Sequence, residues 1–102
     1  MRNYFRFNNM AVEEAIVLKF PFSDELPSGI TLTGTPTVTV EQIGGVTDPS
    51  PSTLVVNVMP GTAVIDVAID AQIKDADYEI RVTSDTTDPL LRLTRVGRIY
   101  VF

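Results

Sequence analysis

Apolar and polar residues alternate along most of this chain with a period of two, which is the period of a half-buried strand. In 15–22, Ile16, Leu18 and Phe20 share one face and Val17 and Lys19 the other. This predicts a first body strand, ended by Pro21 because proline donates no ladder hydrogen bond. Ile30-Thr31-Leu32-Thr33 and 37–43 alternate in the same way, with Val38 and Val40 inward and Thr37, Thr39 and Glu41 outward. The Gly34-Thr35-Pro36 break between them predicts a bulge or a switch from one sheet to the other. In 53–58, Leu54, Val56 and Val58 fall on one face. In 63–70, Ala63, Ile65, Val67 and Ile69 point in and Asp66 and Asp70 out. Met59-Pro60-Gly61 joins the two as a hairpin.

The pattern continues to the last residue. Ala71-Gln72-Ile73-Lys74 reads as a short helical turn, followed by an acidic corner, Asp75-Ala76-Asp77. From there Tyr78, Ile80 and Val82 point one way, and Glu79, Arg81 and Thr83 the other. The final segment, 90–102, alternates again, with Val96-Gly97 predicting a bulge or a change of sheet. The longest loop, 44–52, is punctuated by glycine, proline and serine and reads as a mobile tip. Seven or eight short strands without an amphipathic helix predict an all-β sandwich. In immunoglobulin-like sandwiches a tyrosine at the start of the second-last strand ties the corner before it, its hydroxyl bonding back to the backbone. Tyr78 takes that place here, and Ile80 stands where an antibody domain has a cysteine.

Residues 1–12 form a distinct arm ahead of a domain at 13–102. Three of the chain's eight aromatics, Tyr4, Phe5 and Phe7, lie in it beside Arg2 and Arg6. Two placements stay open. The arm packs on its own domain as an edge strand, or it reaches a neighbouring subunit with its aromatics as anchors and its arginines on acidic surface.

Composition narrows the chemistry. The chain has 102 residues, one domain's worth, and no Cys, His or Trp. Disulfides, thiolate metal sites, thiol nucleophiles and every Ser-His pairing are therefore excluded. Net charge is −5, from 8 Lys+Arg against 13 Asp+Glu. Within 21–79 there is one cation, Lys74, and nine anions, so nucleic-acid binding is not expected. No apolar run approaches the ~20 residues of a membrane span, and no apolar core follows Arg2 and Arg6 as in a cleaved leader.

The densest acidic set is Asp66, Asp70, Asp75, Asp77 and Glu79. It lacks the Asp-x-Asp-x-Asp-Gly loop and the turn glycine of a calcium site, and reads as a solvated edge. Glu13-Glu14 and Asp24-Glu25 are adjacent on the chain and face opposite ways, unlike a glycosidase pair. No Gly-x-Ser-x-Gly elbow or phosphate loop is present. The expectation is a protein that is not an enzyme, with no catalytic residue, cofactor or metal. Arg81, Arg92, Arg95 and Arg98 form the basic set. They either pair with acids of their own chain or present a basic patch to the acidic body of the next copy.

Several stretches together resemble a known family. They are Leu18-Lys19-Phe20, Gly29-Ile30-Thr31-Leu32, Thr37-Val38-Thr39-Val40, Gly61-Thr62-Ala63, Tyr78-Glu79-Ile80-Arg81-Val82-Thr83 and Arg98-Ile99-Tyr100-Val101. Across 15–102 the chain resembles the small immunoglobulin-like virion proteins of tailed bacteriophages, among them the fibre-tail adaptors. The spacing from the Gly-Thr-Ala turn to the tyrosine is longer than in that family, and the arm is extra. The resemblance implies a structural virion protein, assembled in the host cytoplasm, that links tail or neck to fibres. Its implied partners are other virion proteins and copies of itself, with no nucleic acid and no membrane. The alternatives are a capsid decoration protein or a stand-alone module binding carbohydrate or protein, chiefly through 44–52. Candidate partner contacts are Arg2, Tyr4, Phe5, Arg6, Phe7, Arg81, Arg92, Arg95 and Arg98, with Tyr78 defining the corner.

Overall fold

The computed structural model describes residues 4–102, so Arg2 lies outside the described residues. Seven strands follow in order: β1 (Phe5–Arg6), β2 (Ala15–Pro21), β3 (Leu32–Gly45), β4 (Val55–Met59), β5 (Val64–Asp70), β6 (Ala76–Thr86) and β7 (Arg92–Val101). Two short 3-10 turns, Ser23–Glu25 and Pro51–Leu54, precede β3 and β4. The fold is all-β, in two sheets with strand orders β1-β7-β6-β3 and β2-β5-β4. All pairings are antiparallel except β1 with β7, which is parallel.

Alternation decides what each strand buries. Leu18 and Phe20 of β2 and Ile65, Val67 and Ile69 of β5 come from one sheet. Tyr78, Ile80 and Val82 of β6 and Ile99 and Val101 of β7 come from the other. All are buried in one shared core. Burying such a side chain contributes about 1.5–3 kcal/mol relative to leaving it in water, so this core is the main stabilising element.

The described part of the arm, residues 4–12, packs on its own domain. The Phe7 amide donates to the Arg98 carbonyl at 2.9 Å, the Met10 amide donates to the Tyr100 carbonyl at 3.0 Å, and the Phe102 amide donates to the Met10 carbonyl at 2.9 Å. Met10 is buried in the core. Phe5, Phe7 and Phe20 form an edge-to-face cluster with centroids 4.9–5.5 Å apart. Gly97 makes room for it: a Cβ there would lie 2.5 Å from the Phe7 ring and 3.0 Å from that of Phe20. From Phe5 to Met10 the described part of the arm is therefore packed against the same core as the rest of the chain.

The structure decides one open alternative and corrects other expectations. The two segments around Gly34-Thr35-Pro36 are one strand, β3, with a register shift between Thr33 and Thr37, so the break is a bulge and not a sheet change. The register of β6 with β7 is unbroken through Val96 and Gly97, so no bulge lies there. Ala71-Gln72-Ile73-Lys74 forms no helix but an irregular bend. Val56 does not share a buried face with Leu54 and Val58. A register shift between Val55 and Asn57 places it on a bulge, 60% exposed.

Candidate interaction surfaces

The corner is built around Tyr78, whose ring is buried while its hydroxyl reaches the loop 44–52. That hydroxyl donates to Asp48 Oδ2 at 2.7 Å. Asp48 Oδ1 accepts the Ser50 amide at 2.8 Å, and the Asp48 amide donates to Gln42 Oε1 at 2.7 Å. The Gln42 side-chain amide in turn donates to the carbonyls of Gly44 and Val46. The expected backbone acceptor for Tyr78 is therefore replaced by a carboxylate, and the expected mobile tip is tethered to the core. Desolvation, then the Asp48 hydrogen bond and charge, raise the Tyr78 pKa above its ordinary value.

Glycine is required where this loop meets the corner. Gly45 has φ +85°, and a Cβ there would sit 2.0 Å from the Asp75 carbonyl oxygen. Asp75 itself adopts φ 59°, and its carbonyl accepts the Val46 amide at 2.8 Å. Its carboxylate accepts the Tyr100 hydroxyl at 3.2 Å. Asp75 is thus a corner residue held by hydrogen bonds. Among the described residues, no three acidic side chains are grouped to hold a metal ion.

The outer face of the four-stranded sheet collects most of the arginines. Arg6 forks onto Asp77 with two bonds of 3.2 and 3.3 Å. Arg98 pairs with Glu79 at 2.9 Å and stacks on the Tyr4 ring, 3.8 Å from its centroid. Arg81 also reaches Glu79, at 3.5 Å, and Arg92 pairs with Asp85 at 2.8 Å. Arg95 does not share this face. It stands opposite Val82, on the core side, where it pairs with Glu25 at 2.7 Å and lies 5.3 Å from the Phe5 centroid. Of the candidate contacts, Arg6, Arg81, Arg92, Arg95 and Arg98 all have acidic partners in their own chain. Phe5 and Phe7 pack on the core.

No family model, curated protein or solved structure matches the chain.

Large apolar side chains stand in solvent elsewhere. Leu90, at the tip of the β6–β7 hairpin, is 95% exposed. Its turn is held firmly: the Leu90 amide donates to Asp88 Oδ1 at 2.9 Å, and the Thr86 hydroxyl lies 3.0 Å from the Asp88 and Leu91 carbonyls. Val17, Val56, Met59 and Val64 are exposed on the three-stranded sheet. None of these residues, nor Asp48, Gln42 or Gly97, is among the contact residues that the sequence singles out. One signal was available: Ala15-Ile16-Val17-Leu18 is apolar at consecutive positions, so whichever side faces the core, the other side is apolar too.

Proposed function

We propose that this chain is an immunoglobulin-like structural subunit of a phage virion, an adaptor or connector acting through protein–protein contacts. Strand order supports the fold assignment. The order β2-β5-β4 corresponds to B-E-D of an immunoglobulin domain and β3-β6-β7 to C-F-G, with β1 as an A strand paired to the G side. The resemblance across 15–102 supports the virion setting.

The observation that carries the assembly role is the placement of exposed side chains. Charges on the four-stranded sheet are largely matched within the chain, while Leu90, Val17 and Val56 stand in water. Exposed apolar side chains gathered on one face, as Val17, Val56, Met59 and Val64 are on the three-stranded sheet, are the kind of surface that other proteins cover. Mass spectrometry of purified particles tests the reading. The chain is expected among the virion proteins, and its absence from particles removes the proposal.

The tethered loop 44–52 favours a second reading, a stand-alone binding module. A loop fixed by Gln42, Asp48 and Tyr78 is preorganised for a ligand, and Val46 is exposed on it. In that case replacing the loop abolishes ligand binding and leaves particles unaffected.

A further inference from the structure

The groove over Gly97 needs an arm to fill it. Phe5 and Phe7 lie edge-to-face on the core ring of Phe20, and Met10 is 1% exposed. An empty groove would open that core to water. None of these contacts depends on the arm belonging to the same copy; only the connection does. Residues 11–14 alone separate Met10 from Ala15, the first residue of β2, and they carry the chain from the four-stranded sheet to the three-stranded one. They form a tight turn, closed by the Glu14 amide on the Ala11 carbonyl at 3.1 Å. Its third residue, Glu13, has φ 74°. A left-handed residue at this place in a turn is ordinarily glycine or asparagine, because a Cβ there crowds the following carbonyl oxygen. Glu13 is exposed, so no burial of its side chain offsets the strain.

We propose that the arm is exchangeable: residues 4–12 of one copy occupy the groove of a second copy, whose arm fills the first, with the turn at Glu13 as the hinge. Fit identifies the occupant, since the same segment already sits there in the single chain. Backbone hydrogen bonds divide at the hinge. The Val12 amide donates to the Phe102 carbonyl at 2.7 Å, and this bond goes with the arm. The Glu13 amide donates to the Ala71 carbonyl at 2.7 Å and the Ala71 amide to the Glu14 carbonyl at 3.0 Å, and these hold the start of β2. A change in the Glu13 backbone therefore separates the two sets without breaking either.

Opening the hinge forfeits the Ala11–Glu14 turn bond and the bond from the Ala11 amide to the Glu14 carboxylate, both of which water replaces. It releases the left-handed backbone in both copies. Every other arm contact is remade, so little is lost in the exchange. A short hinge under strain favours that outcome. Against it stands the entropy of joining two copies, so the exchanged dimer gains on the closed chain as concentration rises. The exchange goes beyond the assembly reading above and needs no virion, only copies held close together.

Refolding the full chain from urea at about 1 μM and at about 1 mM, followed by sedimentation velocity, tests this. Monomer is expected at the lower concentration and dimer at the higher. Glu13→Gly takes the left-handed turn without strain, and is expected to lower dimer formation roughly tenfold or more. Glu13→Val has the branched side chain that suits this backbone worst, and is expected to raise dimer formation by a similar factor. Both keep the amide that donates to Ala71. Cross-linking identifies the exchanged element. The chain has no Cys, and Arg6 and Arg98 are Cα partners across β1 and β7. Neighbouring strands lie about 4.8 Å apart, within disulfide range. Arg6→Cys and Arg98→Cys, made in separate chains and refolded together at about 1 mM, are expected to form a disulfide with each other. Only an arm lying on the β7 of another copy permits it. Circular dichroism confirms the fold of each variant. If Glu13→Val misfolds, the parent chain, Glu13→Gly and the cysteine pair still decide. A parent chain that stays monomeric at the higher concentration, a dimer indifferent to Glu13→Gly, or mixed cysteine variants that do not cross-link overturns the proposal. A chain that stays closed leaves the virion reading standing, since that reading is decided by the content of purified particles.

Discussion

The Tyr78 hydroxyl donates a 2.7 Å hydrogen bond to the Asp48 carboxylate, thirty positions back along the chain. It joins the start of β6 to the loop after β3. A bond to a charged acceptor contributes more than one to a neutral carbonyl, about 1.5–3 kcal/mol against about 1. Tyr78→Phe is therefore expected to lower stability by about 2 kcal/mol in urea unfolding. The same variant is expected to speed proteolytic cleavage within 44–52. A loss no greater than a few tenths of a kcal/mol would mean that the loop holds without this bond.

The same bond gives a pH dependence with a definite sign. The Tyr78 pKa is raised in the folded chain, so folding favours its neutral form. The contribution is whole below the unfolded value of about 10, and drains away as pH rises past it toward the folded value. Unfolding compared at about pH 8 and about pH 11 is expected to show a larger loss for the parent chain than for Tyr78→Phe. Equal losses would assign the alkaline sensitivity to other groups.

Two glycines separate two kinds of clash. At Gly45 an added Cβ meets backbone, the Asp75 carbonyl at 2.0 Å, and φ is +85°. At Gly97 the added Cβ meets the outer edge of the Phe7 ring at 2.5 Å. A ring moves more easily than a backbone. Gly45→Ala is expected to destabilise by more than the ~1–3 kcal/mol of ordinary overpacking. Gly97→Ala is expected to fall within that range and to loosen the arm, seen as faster amide exchange at Phe7 and Met10 with β6 still protected. The reverse order of the two variants would place the strain elsewhere.

The arginines of the outer face differ in how firmly they are held. Arg98 has a side chain only 28% exposed, pairs with Glu79 at 2.9 Å and covers Tyr4. Arg81 is 56% exposed and reaches the same carboxylate at 3.5 Å. Exposed pairs contribute little, so Arg81→Glu is expected to leave thermal stability nearly unchanged. Arg98→Glu faces Glu79 at close range and is expected to lower the melting temperature by several degrees. If Arg81→Glu alone impairs incorporation into particles, that face belongs to the assembly. Normal incorporation takes it out.

What the sequence made legible follows from periodicity. The alternation of Leu18 and Phe20, of Ile65, Val67 and Ile69, and of Ile80 and Val82 named the inner faces correctly, because one side of each strand is apolar. Val56 was misplaced because a bulge shifts the phase by one residue, and nothing in Val55-Val56-Asn57 announces it. Val96-Gly97 read as a break because glycine weakens strands, whereas here the missing Cβ admits two phenylalanine rings from far away in the chain. Tyr78 was legible as a corner residue, but its partner Asp48 was not. Composition marks 44–52 as a loop, and composition cannot tell a free loop from a tethered one. The pairing of each arginine was open for a similar reason: acids and bases are spread along the chain, and only the register brings Arg98 beside Glu79 or Arg6 within reach of Asp77.

The parallel pairing of β1 with β7 places Phe5 beside Gly97 and Met10 beside Val101. In the order of synthesis, the first strand must wait for the last. Phe5, Phe7 and Met10 leave the ribosome before the rest of the domain, and the groove that receives them is complete only when β7 emerges. Until then these side chains stay in water, where they invite chaperones or wrong partners. Such distant pairing also slows closure, because loop entropy is lost before the contacts form. The first and last strands of the domain act as a clasp, and the domain shuts only when both are present.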